Sequence, residues 1–313
     1  MALAGIILAF SATDAYQLVV ARALWGIGDA AFFCVSTAYV ASVFPIRERG
    51  RALGVFVSIE TIGSFLGQSF GGIVASVFTY RGVFAISIPL SAVVFSLLIL
   101  FRGTHRLPSE RVELQPTQRF RHLLTPTLVA ACIIVLVVMF RNNGITSTIL
   151  PLYFTNFLGI SLPMYGLLIA FGTVGSTIGN FFGGWLSDKM DRVRIILLGI
   201  LLLTLCTYLL SAFTTFTLLA MVMVLQGYAW GSMYSVTPVL ILDSVPGELR
   251  GVAVGTYRTF FDLGGLLGPI FMSVVADALG FLASFYVGTA MVLSNLALIP
   301  FLQKKPRKMA EGA

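Results

Sequence analysis

The sequence reads Pro45-Ile46-Arg47-Glu48-Arg49-Gly50-Arg51-Ala52-Leu53-Gly54, and 201 residues further on it reads Pro246-Gly247-Glu248-Leu249-Arg250-Gly251-Val252-Ala253-Val254-Gly255. Both segments have Pro, Arg, Gly, Ala and Gly at the same places. The same offset, without a gap, aligns Leu24, Gly26, Gly63, Gly67 and Phe84 with Leu225, Gly227, Gly264, Gly268 and Phe285. Ten identities at one offset indicate an internal duplication.

The composition places the duplicated chain in a membrane. Hydrophobic residues make up 58%, charged residues only 11%, and the mean hydropathy is +0.95. Nine apolar stretches are long enough to cross a hydrocarbon core about 30 Å thick. They lie near residues 16–44, 52–77, 82–101, 123–157, 164–187, 195–213, 216–242, 251–276 and 281–302. Because a lipid-exposed backbone must satisfy its own hydrogen bonds, we expect an all-α polytopic membrane protein.

The basic residues predict the topology. The net charge is +7, but the charges lie in alternate loops rather than on one face, which argues against nucleic acid. Sixteen of the 20 Lys and Arg residues form one set: Arg47, Arg49, Arg51, Arg102, Arg106, Arg111, Arg119, Arg121, Lys189, Arg192, Arg194, Arg250, Lys304, Lys305, Arg307 and Lys308. By the positive-inside rule this set and the C-terminus are cytoplasmic, and turns near 12–15, 78–82, 157–163, 213–216 and 277–281 face outward.

The repeat also predicts the domain organisation. We expect a first helical bundle over 1–101, a cytoplasmic linker over 102–122, a six-helix bundle over 123–302 and a basic tail over 303–313. Residue 123 has no counterpart in the first copy, because the offset carries it to position −78. The first bundle is therefore expected to lack two helices and part of a third, of which 1–12 remains. A signal peptide is the alternative for this apolar start, although it has no basic region.

Three motifs resemble those of the major facilitator superfamily. The segment Gly184-Trp185-Leu186-Ser187-Asp188-Lys189-Met190-Asp191-Arg192-Val193-Arg194 is similar to the family's loop signature, with Asp191 in place of the usual Gly. Arg22-Ala23-Leu24-Trp25-Gly26-Ile27-Gly28 resembles its fourth-helix pattern. Gly54, Gly63, Gly67, Gly71 and Gly72 match the fifth-helix motif of its antiporters, with Gln68 replacing a proline; the second copy keeps Gly255, Gly264, Gly268 and Pro269.

The resemblance implies two pseudo-symmetric six-helix bundles that rock around a central cavity, the first incomplete here, with nine full spans and a partial one. Asp188 is expected to cap the following helix and to pair with Arg192 as a charged latch. The alternative for this loop is ordinary positive-inside charge. The small residues of the glycine motifs also suit close helix packing without antiport.

Six ionisable residues lie inside the predicted spans: Arg22, Asp29, Glu60, Arg141, Arg258 and Asp262. At roughly 2.5 to 3.5 kcal/mol each they would outweigh a folding stability of about 5 to 15 kcal/mol if they faced lipid. Arg258 and Asp262 stand one turn apart and can form an intrahelical ion pair. Asp29 or Glu60 is expected to carry a coupling proton, with Arg22 stabilising the deprotonated state; a polar helix contact is the alternative for each acid.

Candidates for contact with substrate come from helices that line the family's cavity. They are Arg141, Asn142 and Asn143, a polar cluster inside an apolar run, and Tyr228, Trp230 and Tyr234, which also suit a membrane interface. The three cysteines lie in apolar runs and suggest neither a disulfide nor a metal site.

We therefore expect a secondary transporter of a small molecule, working by proton-coupled efflux. Proton-coupled uptake of a metabolite is the alternative, and a non-transporting membrane remnant or binding protein is an alternative of another class. No Walker loop, H-E-x-x-H or similar motif predicts an enzyme or a cofactor. The sequence does not indicate the oligomeric state.

Overall fold

The computed structural model describes residues 2–45, 48–100, 125–246 and 249–302. The predicted linker 102–122 and tail 303–313 lie outside these residues. The described residues form nine helices: α1 (Ala2–Ser11), α2 (Ala15–Val43), α3 (Arg49–Leu100), α4 (Pro126–Phe157), α5 (Leu162–Ser187), α6 (Arg192–Ala212), α7 (Phe216–Ser244), α8 (Arg250–Leu279) and α9 (Phe281–Leu302).

Seven of the described helices are long and apolar enough to cross a membrane. The spans are Tyr16–Val40, Pro126–Phe157, Met164–Ser187, Arg192–Ala212, Phe216–Ser244, Arg250–Leu279 and Phe281–Leu302, and Gly82–Leu97 is a shorter apolar helix. They correspond to eight of the nine stretches predicted from hydropathy. The chain is thus an all-α polytopic membrane protein.

Helix α3 differs from the prediction of two spans with a turn near 78–82. It runs without a break over 52 residues, Arg49–Leu100. The stretch 73–81 contains neither proline nor glycine, so the local sequence has no residue that ends a helix before Gly82. The length of about 78 Å exceeds two hydrocarbon thicknesses.

The described helices group into two compact units. Unit 1 comprises the described parts of Met1–Ser36 and Gly63–Arg111, and unit 2 those of Thr37–Ile62 and Val112–Ala313. The repeat assigns residues 37–62 to the first bundle, yet the start of α3 groups with unit 2. This start of α3 lies against α5, as described below.

The turns of unit 2 are set by caps. Thr125 accepts a hydrogen bond from the Leu128 backbone N–H at 3.2 Å and is followed by Pro126 at the first position of α4. Gly280 separates α8 from α9 with φ of +85°, in the left-handed region that glycine enters without strain.

The core of unit 2 lies between α4, α6, α7, α8 and α9. Tyr153 of α4 packs edge-on against Phe285 of α9, with ring centres 5.2 Å apart. Small residues bring the backbones of α5 and α7 together, because a Cβ at Gly175 or Gly231 would overlap a backbone carbonyl of the partner helix. This close packing joins α5 to α7.

Candidate functional site

One carboxylate joins three helix ends of unit 2. Asp243 lies in the last turn of α7, and its Oδ1 is 3.3 Å from Nη1 of Arg49 in the first turn of α3. Its Oδ2 pairs with Nη1 of Arg192 in the first turn of α6. The side chains of Arg49, Arg192 and Asp243 are 10%, 14% and 26% exposed. We call these three residues the charge network; sequence reasoning missed Asp243.

Asp188 makes a different contact from the one predicted. Its Oδ2 accepts a hydrogen bond of 2.8 Å from the backbone N–H of Arg51, one of the N–H groups at the start of α3 that have no partner inside the helix. The cap of α6 is Asp191, whose Oδ1 accepts from Val193 N–H at 3.1 Å, so the predicted Asp188 cap is wrong. Asp188 comes too early in the chain to cap α6. The turn after it still belongs to the end of α5, because the backbone N–H groups of Lys189 and Met190 bond to the carbonyl of Leu186.

The first turns of α3 lie along α5. A Cβ added at Gly54 would stand 2.7 Å from the carbonyl oxygen of Asn180 and 3.0 Å from Cα of Gly184. Asn180 Nδ2 donates to Thr61 Oγ1 at 2.8 Å. We call this contact the α3–α5 seam; it comprises Arg51, Gly54, Ser58 and Thr61 on one side and Thr177, Asn180, Gly184 and Asp188 on the other.

Glu60, a predicted proton carrier, is next to the seam. The Tyr234 hydroxyl of α7 donates to its Oε1 at 3.5 Å. Tyr234 stacks on Trp230 with ring centres 5.3 Å apart, and Phe261 of α8 is 5.7 Å from Tyr234. Tyr234 and Trp230, two of the aromatic residues predicted to contact substrate, therefore lie near the Glu60 carboxylate.

The predicted pair of Arg258 and Asp262 is brought together on α8, with Nε and Oδ2 3.0 Å apart. The guanidinium carbon of Arg258 also stands 4.8 Å from the ring centre of Phe261. The ion pair thus borders the aromatic cluster of Trp230, Tyr234, Tyr257 and Phe261. Beside that cluster is a small cavity lined by α4, α7 and α8.

Arg141 lies inside unit 2 rather than on its surface. It is fully buried, and its Nη2 donates to Gln226 Oε1 at 2.6 Å while Nη1 donates to Thr146 Oγ1 at 3.1 Å. Gln226 Nε2 closes the triangle with Thr146 at 3.2 Å. A Cβ added at Gly288 of α9 would be 3.6 Å from Arg141 Cγ, so α4, α7 and α9 all enclose the guanidinium.

The other polar candidates on α4 and α7 are half-buried. The amide nitrogen of Asn143 lies 2.7 Å from the place of a Cβ at Gly265 of α8, and Asn142 precedes it in the chain. Tyr228 is half-buried, and its backbone lies against Gly179 of α5. Of the six candidates for contact with substrate, Trp230 and Tyr234 are the ones that share a location with Glu60.

Arg22 and Asp29 belong to unit 1, whereas Glu60 belongs to unit 2. Arg22 is exposed and its Cζ is 5.4 Å from the ring centre of Trp25. Arg22 and Trp25 line an apolar cavity together with Gly5 of α1 and Phe84 of α3, which also belong to unit 1.

The two copies of the glycine motif have different surroundings. Gly264 and Gly268 lie against the backbone carbonyls of Leu136 and Phe140, which brings α8 onto α4. A Cβ at Gly63 or at Gly67 would meet no described atom within 4 Å. Pro269 lies in α8 directly after this contact, and Gly71 and Gly72 lie in α3.

Asp243, Gln226 and Asn180 carry the tertiary polar contacts that the motifs did not reveal. Asp243 is the one acidic residue of α7 and Gln226 is its one amide, and this composition is the signal in the sequence that marks them. Within the described residues no group of three His, Cys, Asp or Glu side chains is placed to hold a metal ion.

These features define the class of the protein: a polytopic helical membrane protein with a buried arginine and a charge network that joins its helix ends. The model of the Major Facilitator Superfamily matches residues 1–156 and again 132–312. The chain belongs to this superfamily and is a transporter.

Relatives and a solved structure agree with this assignment. The chain is 26% identical over 312 residues to the multidrug resistance protein MdtG of Proteus mirabilis, covering 95% of this chain and 74% of the relative. It is 27% identical over 293 residues to an uncharacterized MFS-type transporter of Methanocaldococcus jannaschii, covering 91% and 74%. The crystal structure of the human organic anion transporter MFSD10 has the same fold, with a TM-score of 0.76 at 16% identity over 95% of this chain and 74% of that one.

Proposed function

We propose that this transporter exports a small molecule in exchange for protons by alternating access. Two features support export over uptake. Relatives at about a quarter identity are named multidrug resistance proteins, and the glycines from Gly54 to Gly72 resemble the antiporter motif. Both halves of the internal repeat would take part in the cycle. The protein would lie in the lipid bilayer with its C-terminus in the cytoplasm.

The contact between Glu60 and Tyr234 carries the proposal of proton coupling. A carboxylate inside an apolar helix is a functional group by default, because it is expensive to keep there. Proton binding removes the negative charge that the Tyr234 hydroxyl faces at 3.5 Å, so the electrostatic attraction between the two groups becomes weaker. Glu60 precedes Thr61 of the α3–α5 seam, so protonation would weaken an α3–α7 contact beside the seam. Asp29, with Arg22 nearby in sequence, is proposed as a second carrier in unit 1.

The charge network and the seam would form the closed gate at the cytoplasmic end. Arg49 and the backbone N–H of Arg51 are held by Asp243 and Asp188 respectively, so the start of α3 is fixed by two acidic residues. Opening that end requires both contacts to break. In this proposal the cycle alternates between this closed gate and an open one.

The test is transport by the purified protein in proteoliposomes, with ethidium as the probe and an imposed pH gradient. In the wild type, ethidium should move in the direction opposite to the flow of protons. In Glu60→Gln the pH gradient should no longer drive this movement, whereas ethidium should still move down its own concentration gradient. Glu48→Gln is the matched control, since Glu48 is an exposed glutamate like Glu60 but lies in the turn before α3 rather than inside the helix. Gradient-driven exchange by Glu60→Gln at the wild-type rate would refute the role of Glu60. Movement of ethidium in the same direction as protons would favour uptake.

A further inference from the structure

Helix α4 contains an unusual stretch in its middle. Residues Asn142–Ile149 are π-helical, and the backbone N–H of Leu150 bonds to the carbonyl of Ile145, five residues back. A second π-helical stretch, Tyr153–Phe157, follows, and there Leu158 N–H bonds to Tyr153 at 3.1 Å. π-helical segments usually last a single turn and frequently mark functional places. The first stretch is eight residues long, and this unusual length requires a physical explanation.

Side-chain hydrogen bonds, in addition to those of the backbone, hold this part of α4 in the π register. Arg141 Nη1 bonds to Thr146 Oγ1 at 3.1 Å, and Thr148 Oγ1 bonds to the carbonyl of Asn143 at 2.9 Å; both bonds join residues five apart. Gln226 fixes Arg141 and Thr146 from α7, with bonds of 2.6 and 3.2 Å. Such bonds fit a π turn, whereas the α register would bring together residues three or four apart.

The surroundings of this stretch allow a second register. Pro151 cannot donate a backbone bond in either register, so it favours neither of them. Nε of Arg141 is buried without a hydrogen-bond partner among the described residues, so the present arrangement leaves one guanidinium donor unused. Ser147, in the middle of the stretch, is exposed.

We propose that residues Asn142–Ile149 change between π and α registers during the transport cycle, and that Arg141, Thr146 and Gln226 hold the register seen here. A π turn takes up one residue more than an α turn, and one residue of α-helix corresponds to about 100° of rotation. The change would rotate Pro126–Arg141 against the end of α4 by that angle. Asn142 and Asn143 would then face different neighbours in the two states. This inference rests on the proposed transport function.

A deletion separates the register change from ordinary helix packing. Removal of Ser147 takes out the additional residue, so α4 can be α-helical with both flanks placed as they are here, but it can no longer rotate. We expect ΔSer147 to elute as a folded protein and to lose gradient-driven ethidium exchange by about tenfold or more, as variants that block a conformational step do. The control Ser147→Ala keeps the number of residues in the stretch, so it keeps the register change and is expected to exchange ethidium at the wild-type rate. A folded ΔSer147 with wild-type exchange would overturn the proposal.

Hydrogen exchange on the wild type covers the case in which ΔSer147 does not fold. Saturating ethidium should change amide exchange at 145–150 and leave 130–137 unchanged, since only the π stretch changes its bonds. Equal exchange in both states would overturn the register change. If the wild type moves no ethidium, the proposed function fails. The exchange at 145–150 and at 130–137 is then compared at two pH values on either side of neutrality, with each rate corrected for the pH dependence of intrinsic amide exchange, and this comparison decides the register change alone.

Discussion

Replacement of Asp243 by Asn should open the gate measurably. The variant keeps the size of the side chain but removes the charge that pairs with Arg49 and Arg192. Of the two ion pairs that Asp243 makes, the Arg49 pair ties α3 to α7, whereas Arg192 and Asp243 lie on adjoining helices of the same bundle. Exposed ion pairs contribute about 0.2 to 1 kcal/mol, and hydrogen bonds to charged groups about 1.5 to 3. With side chains 10% and 26% exposed, the Arg49 pair lies between these classes. We therefore expect a loss of about 1.4 kcal/mol, which raises the open fraction about tenfold.

The assay measures exposure of the α3–α5 seam directly. Ser58 is 7% exposed and lies at the middle of the seam. In a protein whose native cysteines are replaced, Ser58→Cys should react slowly with a membrane-impermeant maleimide. When reclosing is faster than labelling, the labelling rate follows the open population, so Asp243→Asn should accelerate it about tenfold.

Asp191→Asn is the matched control, because Asp191 is a carboxylate near the same helix ends that caps α6 and does not hold α3. The reasoning fails if Asp243→Asn labels at the rate of Asp191→Asn. A double-mutant cycle adds a second criterion: Arg49→Gln combined with Asp243→Asn should label little faster than Asp243→Asn alone, because the two residues share one interaction.

Three other substitutions test the packing in unit 2. Gly54→Val should raise the same labelling rate by at least about tenfold, since its Cβ would press on the Asn180 carbonyl at 2.7 Å. Thr61→Val should raise it about fivefold, because the Asn180 amide, which is 1% exposed, loses its hydrogen-bond partner at a cost of about 1 kcal/mol. Gly268→Val should lower the melting temperature measured by a thiol-free thermal shift assay and leave labelling unchanged, because it would push α8 off the Phe140 carbonyl.

Hydropathy predicted the membrane-spanning helices well because apolar length is a local property of the chain. The break near 78–82 was the exception. Only Gly82 marks it, and one glycine costs a helix about 1 kcal/mol, which continuous backbone hydrogen bonding can outweigh. Likewise the pair of Arg258 and Asp262 could be predicted, since a spacing of four residues on a helix fixes the distance between them.

Asp243 could not be predicted, because its partners are 194 and 51 residues away in sequence. The repeat does not help either, since the offset of 201 carries Asp243 onto Ser42. The loop motif includes Asp188 and Arg192, and their spacing of four residues predicts that they pair with each other. The contacts found instead depend on where α3 and α7 end in space, which local spacing does not encode.

The positions of these charges bear on the proposed opening of the gate by protons. Arg49 and Arg192 begin their helices, and Asp243 is near the end of its own, so each charge lies at the end of the helix dipole that disfavours it, by about 0.3 to 1 kcal/mol. These dipole interactions are the same whether the gate is open or closed. The gate is therefore held by the pair of Arg49 and Asp243, which contributes about 1.4 kcal/mol. One pH unit supplies about 1.4 kcal/mol per proton, and 100 mV about 2.3 kcal/mol per charge. A gate much stronger than this would stay shut whatever Glu60 bound.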